Sequence, residues 1–193
     1  TGFAVTLAGG ETLQARAIIL ATLANTAARL LQTTAPQTAA LLRQIRHENI
    51  GTASLVYRAS DLPARPSVNG LMIPRREQRA IDAITVTSRK IPQRAAPGYA
   101  LVRVFFGGAK PEMVTHDDPT LLTHITSELR ALLGIQATPL AHAIFRWEAG
   151  FPQADVGHLQ RIAEIETSLP PGITLAGSSY RGIAVPDCIR QGR

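Results

Sequence analysis

The end of the chain carries the residue pattern with the clearest chemical meaning. In LAGSSYRGIAVPDCIRQGR, residues 175–193, Gly177 and Gly182 stand on either side of a short turn. The turn follows a predicted strand at 173–176 and precedes a predicted helix that begins near Pro186. Glycines leave backbone N–H groups accessible, and a helix N-terminus carries unpaired donors and partial positive charge. From the residues alone, such a pattern is more often a plain structural turn, and the alternative is a site for a phosphate or for the electron-rich edge of a heterocycle.

The remaining reactive residue types suggest little chemistry of their own. We interpret His116-Asp117-Asp118 as the start of a helix, with Asp118 as the N-cap, rather than as a metal site. The single cysteine, Cys188, excludes an internal disulfide. Ser178-Ser179 does not match the G-x-S-x-G nucleophile pattern. The histidines form neither an H-x-x-x-H nor an H-E-x-x-H pattern, so we predict no metal site; they are His47, His116, His124, His142 and His158.

Charge and hydropathy limit the partners. Twenty basic and fourteen acidic residues give the chain a net charge of +6, but only 5% of the residues are aromatic. Because the basic residues alternate with core-forming segments, we predict no nucleic-acid partner. A basic face could instead attract an anionic lipid or an acidic small molecule. The longest apolar run, AIILA at 17–21, is far too short to span a membrane. We expect a cytoplasmic location and leave a peripheral membrane contact open.

Both ends of the chain have the pattern of an α/β layer. FAVTL and TLQARA, at 3–7 and 12–17, alternate in hydropathy and predict a hairpin. AIILA predicts a strand that is buried on both faces. Helices are predicted at 24–31 and 36–45, and the second of them has a proline in its first turn.

The middle of the chain has the pattern of an antiparallel sheet. A helix is predicted from Asp118-Pro119 to Gly134. After the sheet, a helix at 158–169 is predicted to turn Leu159, Ile162, Ala163 and Ile165 inward. Period-two segments predict strands at TASLVYR 52–58, NGLMIP 69–74, AIDAITVTS 80–88, YALVRVFFGG 99–108 and HAIFRW 142–147.

These patterns define a fold class of mixed α+β and α/β type. An antiparallel sheet with one covering helix, at 49–147, is inserted between two pieces of an α/β layer, at 1–48 and 148–193. A chain that leaves one layer, builds another and returns is expected to make a cleft, and clefts commonly hold ligands.

Four segments together resemble a known family. The tail at 175–193 resembles the C-terminal flavin-binding signature of the protoporphyrinogen oxidases, within the flavin-containing amine oxidoreductase superfamily. FPQADVGHLQRI at 151–162 is similar to the family's Pro-Gln, then Gly-His, then helix pattern. Residues 71–109 resemble its paired central strands, and residues 10–31 resemble a strand-to-helix segment on the flavin side of its fold.

The resemblance implies an FAD-dependent oxidoreductase of haem biosynthesis that oxidises a porphyrinogen, with molecular oxygen as acceptor. It places the sheet at 49–147 in a substrate-binding domain and the flanking segments in a Rossmann-like FAD-binding domain. The backbone donors of Gly182, Ile183 and Ala184 would face the N1/O2 edge of the isoalloxazine and stabilise negative charge on the reduced flavin. Further cofactor contacts are expected from Val185, Gly177, Trp147 and Thr22. No side chain is assigned as acid or base.

The sequence also departs from the family pattern. It has no Gly-x-Gly-x-x-Gly turn, which binds the dinucleotide pyrophosphate. Leu23 and Ala154 stand where the family has a proline and a tyrosine. We therefore expect the chain to be the C-terminal half of a longer protein. Alone, it is expected to self-associate or to rearrange its domain, to bind FAD weakly or not at all, and to be inactive.

Several alternatives stay open at this point. The substrate is protoporphyrinogen or coproporphyrinogen, or the protein is another amine-oxidase-type flavoenzyme such as a carotenoid desaturase. A non-catalytic remnant or interaction module is the alternative from another class. Arginine binds carboxylates through paired hydrogen bonds, so candidates for the propionates of a porphyrinogen are Arg58, Arg75, Arg103 and Arg181.

Overall fold

A computed structural model describes residues 2–64 and 67–192. The chain divides into two compact units. The first unit runs up to His47 and resumes at Phe151, and the second unit is Glu48–Gly150. The cofactor and substrate roles assigned to residues 1–48, 49–147 and 148–193 stay predictions.

The first unit is an α/β layer. Its hairpin pairs Phe3 with Ala15. Pro36 opens the second helix, where its missing N–H is not needed. The elements are the hairpin strands β1 (Phe3–Thr6) and β2 (Thr12–Ala15), the strands β3 (Ile18–Leu20) and β9 (Ile173–Leu175), and the helices α1 (Ala24–Leu30), α2 (Pro36–Arg43), α5 (His158–Ser168) and α6 (Val185–Gln191).

The strands β3 and β9 are parallel neighbours, with Ile18 opposite Ile173 and Leu20 opposite Leu175. Ile173 is buried among residues of the helices, whereas the side chain of Ile19 is 64% exposed. The prediction that AIILA is buried on both faces was therefore wrong. In the described part of the chain this sheet has two strands and helices on one face, so alternate side chains of β3 face away from the core.

The second unit is built on an antiparallel sheet. The described residues form five strands in the order β5-β6-β7-β4-β8. This architecture confirms the predicted fold class of mixed α and β structure with an antiparallel sheet. The strands are β4 (His47–Arg58), β5 (Gly70–Met72), β6 (Ala83–Val86), β7 (Tyr99–Phe106) and β8 (Ala141–Pro152), accompanied by the short helix α3 (Thr87–Lys90) and the long helix α4 (Asp118–Leu133).

Helix α4 covers one face of this sheet. Leu121, Ile125, Leu129 and Leu133 recur at every fourth position and are buried against residues of β4, β6 and β7. Gly134 ends the helix in the left-handed conformation, with φ of 72°, as the sequence predicts.

The start of α4 differs from the prediction by one residue. Asp117, not Asp118, is the N-cap, because its carboxylate accepts a hydrogen bond from the N–H of Thr120 at 2.8 Å. Asp118 instead forms an ion pair with Arg146 at 2.7 Å.

The buried side of α5 also differs from the prediction. Leu159 and Ala163 are exposed, whereas Ile162 and Ile165 are buried as predicted. His158 replaces Leu159 on the inner face, because 158, 162 and 165 follow the spacing of one helix stripe and 159 does not.

The longest helix in the described chain, α4, has 16 residues. None of the helices formed by residues 2–64 and 67–192 has the length and apolar character needed to cross a membrane.

Candidate functional site

The candidate site lies where β3 and β9 end. Since the two strands are parallel, their carboxyl ends meet at one edge, and the N–H of Ala176 still donates to the carbonyl of Leu20 at 3.1 Å. Ligands of open α/β sheets bind at this kind of edge. The loop that follows β9, Gly177–Ala184, is named here the tail turn.

Ser179 anchors the tail turn to α1. Its side chain is 1% exposed, and its Oγ accepts a hydrogen bond from the backbone N–H of Ala24 at 3.1 Å. Leu23, at the N-cap position of α1, provides no side-chain acceptor. A serine 155 positions away therefore satisfies a donor that the start of α1 would otherwise leave unpaired.

His47 completes this anchor. Its Nδ1 lies 2.9 Å from the carbonyl of Ile45, which can only accept, so Nδ1 carries the proton. In the neutral ring, Nε2 is then an acceptor, and the hydroxyl of Ser179 donates a hydrogen bond to it at 3.3 Å. Burial lowers the pKa of His47, and the hydrogen bond to Ile45 opposes this only in part. The site thus favours the neutral form of His47, with its proton on Nδ1.

Tyr180 fixes the next position of the turn. Its hydroxyl donates to the carbonyl of Thr22 at 3.3 Å, and its own carbonyl accepts from Nε2 of His158 at 2.7 Å. Burial raises the pKa of Tyr180 to about 12, so the phenol keeps its proton. His158, the first residue of α5, therefore holds the tail turn through its side chain.

Gly182 is required by the shape of the turn. Its φ is 131°, and a Cβ built there would lie 2.6 Å from Oδ2 of Asp187. Gly177 has a similar φ of 130°, and its N–H donates to the side chain of Gln191 at 3.3 Å. The turn is thus closed on α6 at both glycines.

After Gly182 the turn becomes accessible. Ile183 is 50% exposed, Val185 is 72% exposed, and Ala184 between them is also exposed. Among the described residues, none accepts a hydrogen bond from the N–H of Gly182, Ile183 or Ala184. Free backbone donors beside exposed apolar side chains fit the electron-rich edge of a flat ring. Since α6 has only seven residues, its dipole adds little.

An open cavity of about 760 Å³ borders the tail turn. Phe151, Leu159 and Ile183 give it apolar walls, and Ala154 also lines it. Ligand pockets commonly fall in this range of volume and are mostly apolar. The cavity, formed within the first unit, has room for an aromatic ligand.

An ion pair holds the loop beside this cavity. The carboxylate of Asp155 accepts from Nη2 of Arg46 at 2.9 Å, and this hydrogen bond lowers the pKa of Asp155. The N–H of Gln153 also donates to the carbonyl of Arg46 at 2.9 Å. The Pro-Gln segment is thereby tied to the residue before His47.

The structure brings most of the predicted site residues together. The tail turn and the first residue of α6 hold five of them, and Thr22 is tied to the turn through its carbonyl. Trp147 belongs to the second unit, where it stacks on Phe145 with ring centroids 6.1 Å apart. Their contacts with a cofactor stay predictions. The five are Gly177, Gly182, Ile183, Ala184 and Val185.

Sequence reasoning missed the residues that support the turn. Ser179 lies in the tail pattern but was considered only as a nucleophile, and His47 carries no local signal. The signal in the sequence is the pair of serines directly after a buried strand. A buried serine hydroxyl needs a hydrogen-bond partner, so such a serine is a candidate for anchoring the turn.

Comparison with known proteins finds similar proteins that are named as porphyrinogen oxidases. Coproporphyrinogen III oxidase of Propionibacterium freudenreichii subsp. freudenreichii is 32% identical over 192 residues, which cover 98% of this chain and 36% of that protein. Protoporphyrinogen oxidase of Bos taurus is 28% identical over 193 residues, which cover 95% of this chain and 40% of that protein. A solved structure from Exiguobacterium sp. 255-15, provisionally described as a protoporphyrinogen oxidase, superposes with a TM-score of 0.80 at 24% identity. The match covers 98% of this chain and 42% of that chain.

The chain has the fold of solved oxidases of the amine-oxidase type. The chain belongs to the family described as flavin containing amine oxidoreductase, whose pattern matches residues 1–193. This match confirms the predicted family and its flavin cofactor. The chain spans less than half the length of the relatives named above.

Proposed function

We propose that this chain forms part of an FAD-dependent oxidase that converts a porphyrinogen into a porphyrin, with molecular oxygen as acceptor. The observation that carries the proposal is the tail turn, in which a fixed backbone presents N–H groups without an acceptor among the described residues, next to an open cavity. Membership of a flavin-containing family supports the same reading.

The proposed task of the tail turn is to bind and orient the ring edge of the flavin. The N–H groups of Gly182, Ile183 and Ala184 would donate to its N1/O2 edge and stabilise negative charge there. When bound, the flavin supplies the capacity to accept a hydride from the substrate. Gly177 and Val185 would shape the turn around the ring, while Thr22 and Trp147 are proposed as further cofactor contacts.

His47 and Ser179 would keep the turn in position while its donors are engaged. Their hydrogen bonds reach Ile45 and Ala24, which belong to other segments of the first unit. A preorganised donor row needs no rearrangement when charge develops, and this is the main benefit of such a site.

The substrate is proposed to be a porphyrinogen with carboxylate side chains, bound on the sheet at 49–147. Relatives named coproporphyrinogen III oxidase and protoporphyrinogen oxidase both match the chain. The first relative has the higher identity and matches more of this chain. Coproporphyrinogen III is therefore the first substrate to test, and protoporphyrinogen IX the second.

The test uses the longer protein that contains this chain. We expect it to purify with the visible absorbance of bound flavin, and to form fluorescent porphyrin from one of the two porphyrinogens under air. A protein that holds no flavin, or that oxidises neither compound, would overturn the proposal. In the first case the chain would be a non-catalytic module, and in the second another amine-oxidase-type flavoenzyme.

A further inference from the structure

The sheet of the second unit has a face that α4 does not cover. Side chains alternate along each strand, so the neighbours of the buried core residues point to the opposite side. On β8, Ile144 packs on the core and Arg146 donates to carbonyls of the core-side segment at 114–116, which leaves Phe145 and Trp147 on the opposite side. This second face is defined by Ser54, Thr85, Arg103, Phe105, Phe145 and Trp147.

Arg103 lies in the middle of the second face. On β7 it is directly opposite Ser54 of β4 on one side and Thr85 of β6 on the other. Two residues further along the same face stands Phe105, and Phe145 and Trp147 at the edge are 56% and 47% exposed. A cation is therefore placed among apolar and hydroxyl side chains.

The guanidinium of Arg103 lacks a partner within the described chain. Its Nε is shielded from solvent and makes no hydrogen bond, and no described carboxylate forms an ion pair with it. Elsewhere in the second unit, Arg75 pairs with Glu48 at 2.7 Å and Arg79 pairs with Glu128 at 2.8 Å. A shielded, unpaired donor on a charged group costs free energy unless something pairs with it.

We propose that Arg103 anchors a carboxylate of a flat, largely apolar ligand that lies on the second face. The inference rests on the proposed function, in which that carboxylate is a propionate of the porphyrinogen. The planar guanidinium can hold a carboxylate through two parallel hydrogen bonds. Ser54 and Thr85 offer hydroxyl donors on either side, and Phe105 provides apolar contact beside the anchor.

The structure separates Arg103 from the other arginines that the sequence suggests. Arg75 is engaged by Glu48, and Arg181 is held by Glu166 with Nε at 2.9 Å from its carboxylate. Arg58 is exposed at the end of β4, where water can solvate it. Of these four arginines, Arg103 alone combines a shielded, unpaired Nε with a place in the middle of a sheet face.

Trp147 provides the readout, because it is the single tryptophan of the chain and lies on the second face. The 193-residue chain is titrated with coproporphyrin III and with its tetramethyl ester, and quenching of Trp147 fluorescence gives each affinity. We expect the acid to bind more tightly than the ester. Arg103→Met should weaken the acid roughly 10-fold to 100-fold and leave the ester unchanged.

Two further variants keep the test decisive. Arg103→Lys retains the positive charge but lacks the paired N–H donors of the guanidinium, so it should give an intermediate affinity for the acid. Arg130→Met, on the exposed side of α4, is the matched control and should bind both compounds as the wild type does. A melting curve of each variant establishes that it folds.

The proposal is overturned if Arg103→Met binds the acid as tightly as the wild type, if it weakens acid and ester equally, or if neither compound quenches Trp147 in the wild type. These results leave flavin content and turnover of the longer protein untouched. Failure of the proposed function would appear in those two measurements instead, so the two failures can be told apart.

Discussion

The Nε2 atom of His47 lies 3.3 Å from the Oγ atom of Ser179, and this contact joins residues 132 positions apart in the sequence. Because Ser179 in turn accepts from the N–H of Ala24, one chain of hydrogen bonds within the first unit connects His47, the start of α1 and the tail turn. The position of the tail turn is therefore set by residues outside it.

Replacing Ser179 with alanine should destabilise the fold. The N–H of Ala24 is buried and would lose its acceptor, which costs about 1–3 kcal/mol. For a chain of this size, each kcal/mol lowers the melting temperature by roughly 2–4 °C. Ser178→Ala is the matched control, since Ser178 is less buried and its side chain makes no hydrogen bond within the described chain. Equal melting temperatures for the two variants would contradict this role of Ser179.

The stability of the fold should fall as the pH drops below about 6.5, the ordinary pKa of histidine. Burial holds the pKa of folded His47 below that value, so the unfolded chain binds more protons in the interval between the two values. The contribution of His47 to the free energy of unfolding is complete above the pKa that His47 has in the unfolded chain. It is lost as the pH falls towards the lower pKa that His47 has in the folded chain.

Melting curves between about pH 5.5 and about pH 7.5 check this, as they bracket the ordinary histidine pKa. His47→Gln should flatten the pH dependence, whereas His142→Gln, at an exposed position, should not. A wild-type slope that persists in His47→Gln would show that another group is responsible.

Gly182→Ala should disturb the tail turn more than a glycine substitution elsewhere. The new Cβ would meet Asp187, and the backbone would keep a φ that side chains rarely adopt, at a cost of about 1–3 kcal/mol. Gly9→Ala is the control, because Gly9 has open space around its Cβ position and no positive φ. Thermal unfolding measures the cost; if Gly182→Ala were as stable as Gly9→Ala, the turn would not depend on glycine.

Asp117→Ala should cost about 1 kcal/mol, because it removes the N-cap of α4. Asp118→Ala removes a partly exposed ion pair with Arg146 and should cost less. Urea unfolding of both variants measures which one loses more free energy of unfolding. A larger loss in Asp118→Ala would indicate that Asp118 is the N-cap, as the sequence suggested.

The sequence predicts those parts of the fold whose cause is local. The hairpin β1–β2, the strands of the large sheet and the stop of α4 at Gly134 all follow from periodicity and from glycine or proline positions. The N-cap of α4 was misplaced because Asp117 and Asp118 are equally good caps by type. Only the geometry selects the one whose carboxylate reaches Thr120.

Long-range features could not be predicted in this way. The exposure of Ile19 depends on how many faces of its strand are covered, and AIILA has the same composition in either case. The tail turn was expected from Gly177 and Gly182, but its anchors at His47 and Ala24 depend on tertiary contacts across more than 130 positions.

The most direct test of the proposed role of the tail turn is the flavin midpoint potential of the longer protein carrying Ala184→Pro. Ala184 has φ of −72°, which proline adopts, so the substitution deletes one N–H with little change of backbone. Loss of one donor to developing negative charge predicts a potential roughly 30–60 mV more negative. Ala184→Ser, which keeps the N–H, should retain the wild-type potential. Equal potentials in Ala184→Pro, Ala184→Ser and the wild type, with flavin fully bound, would contradict the account.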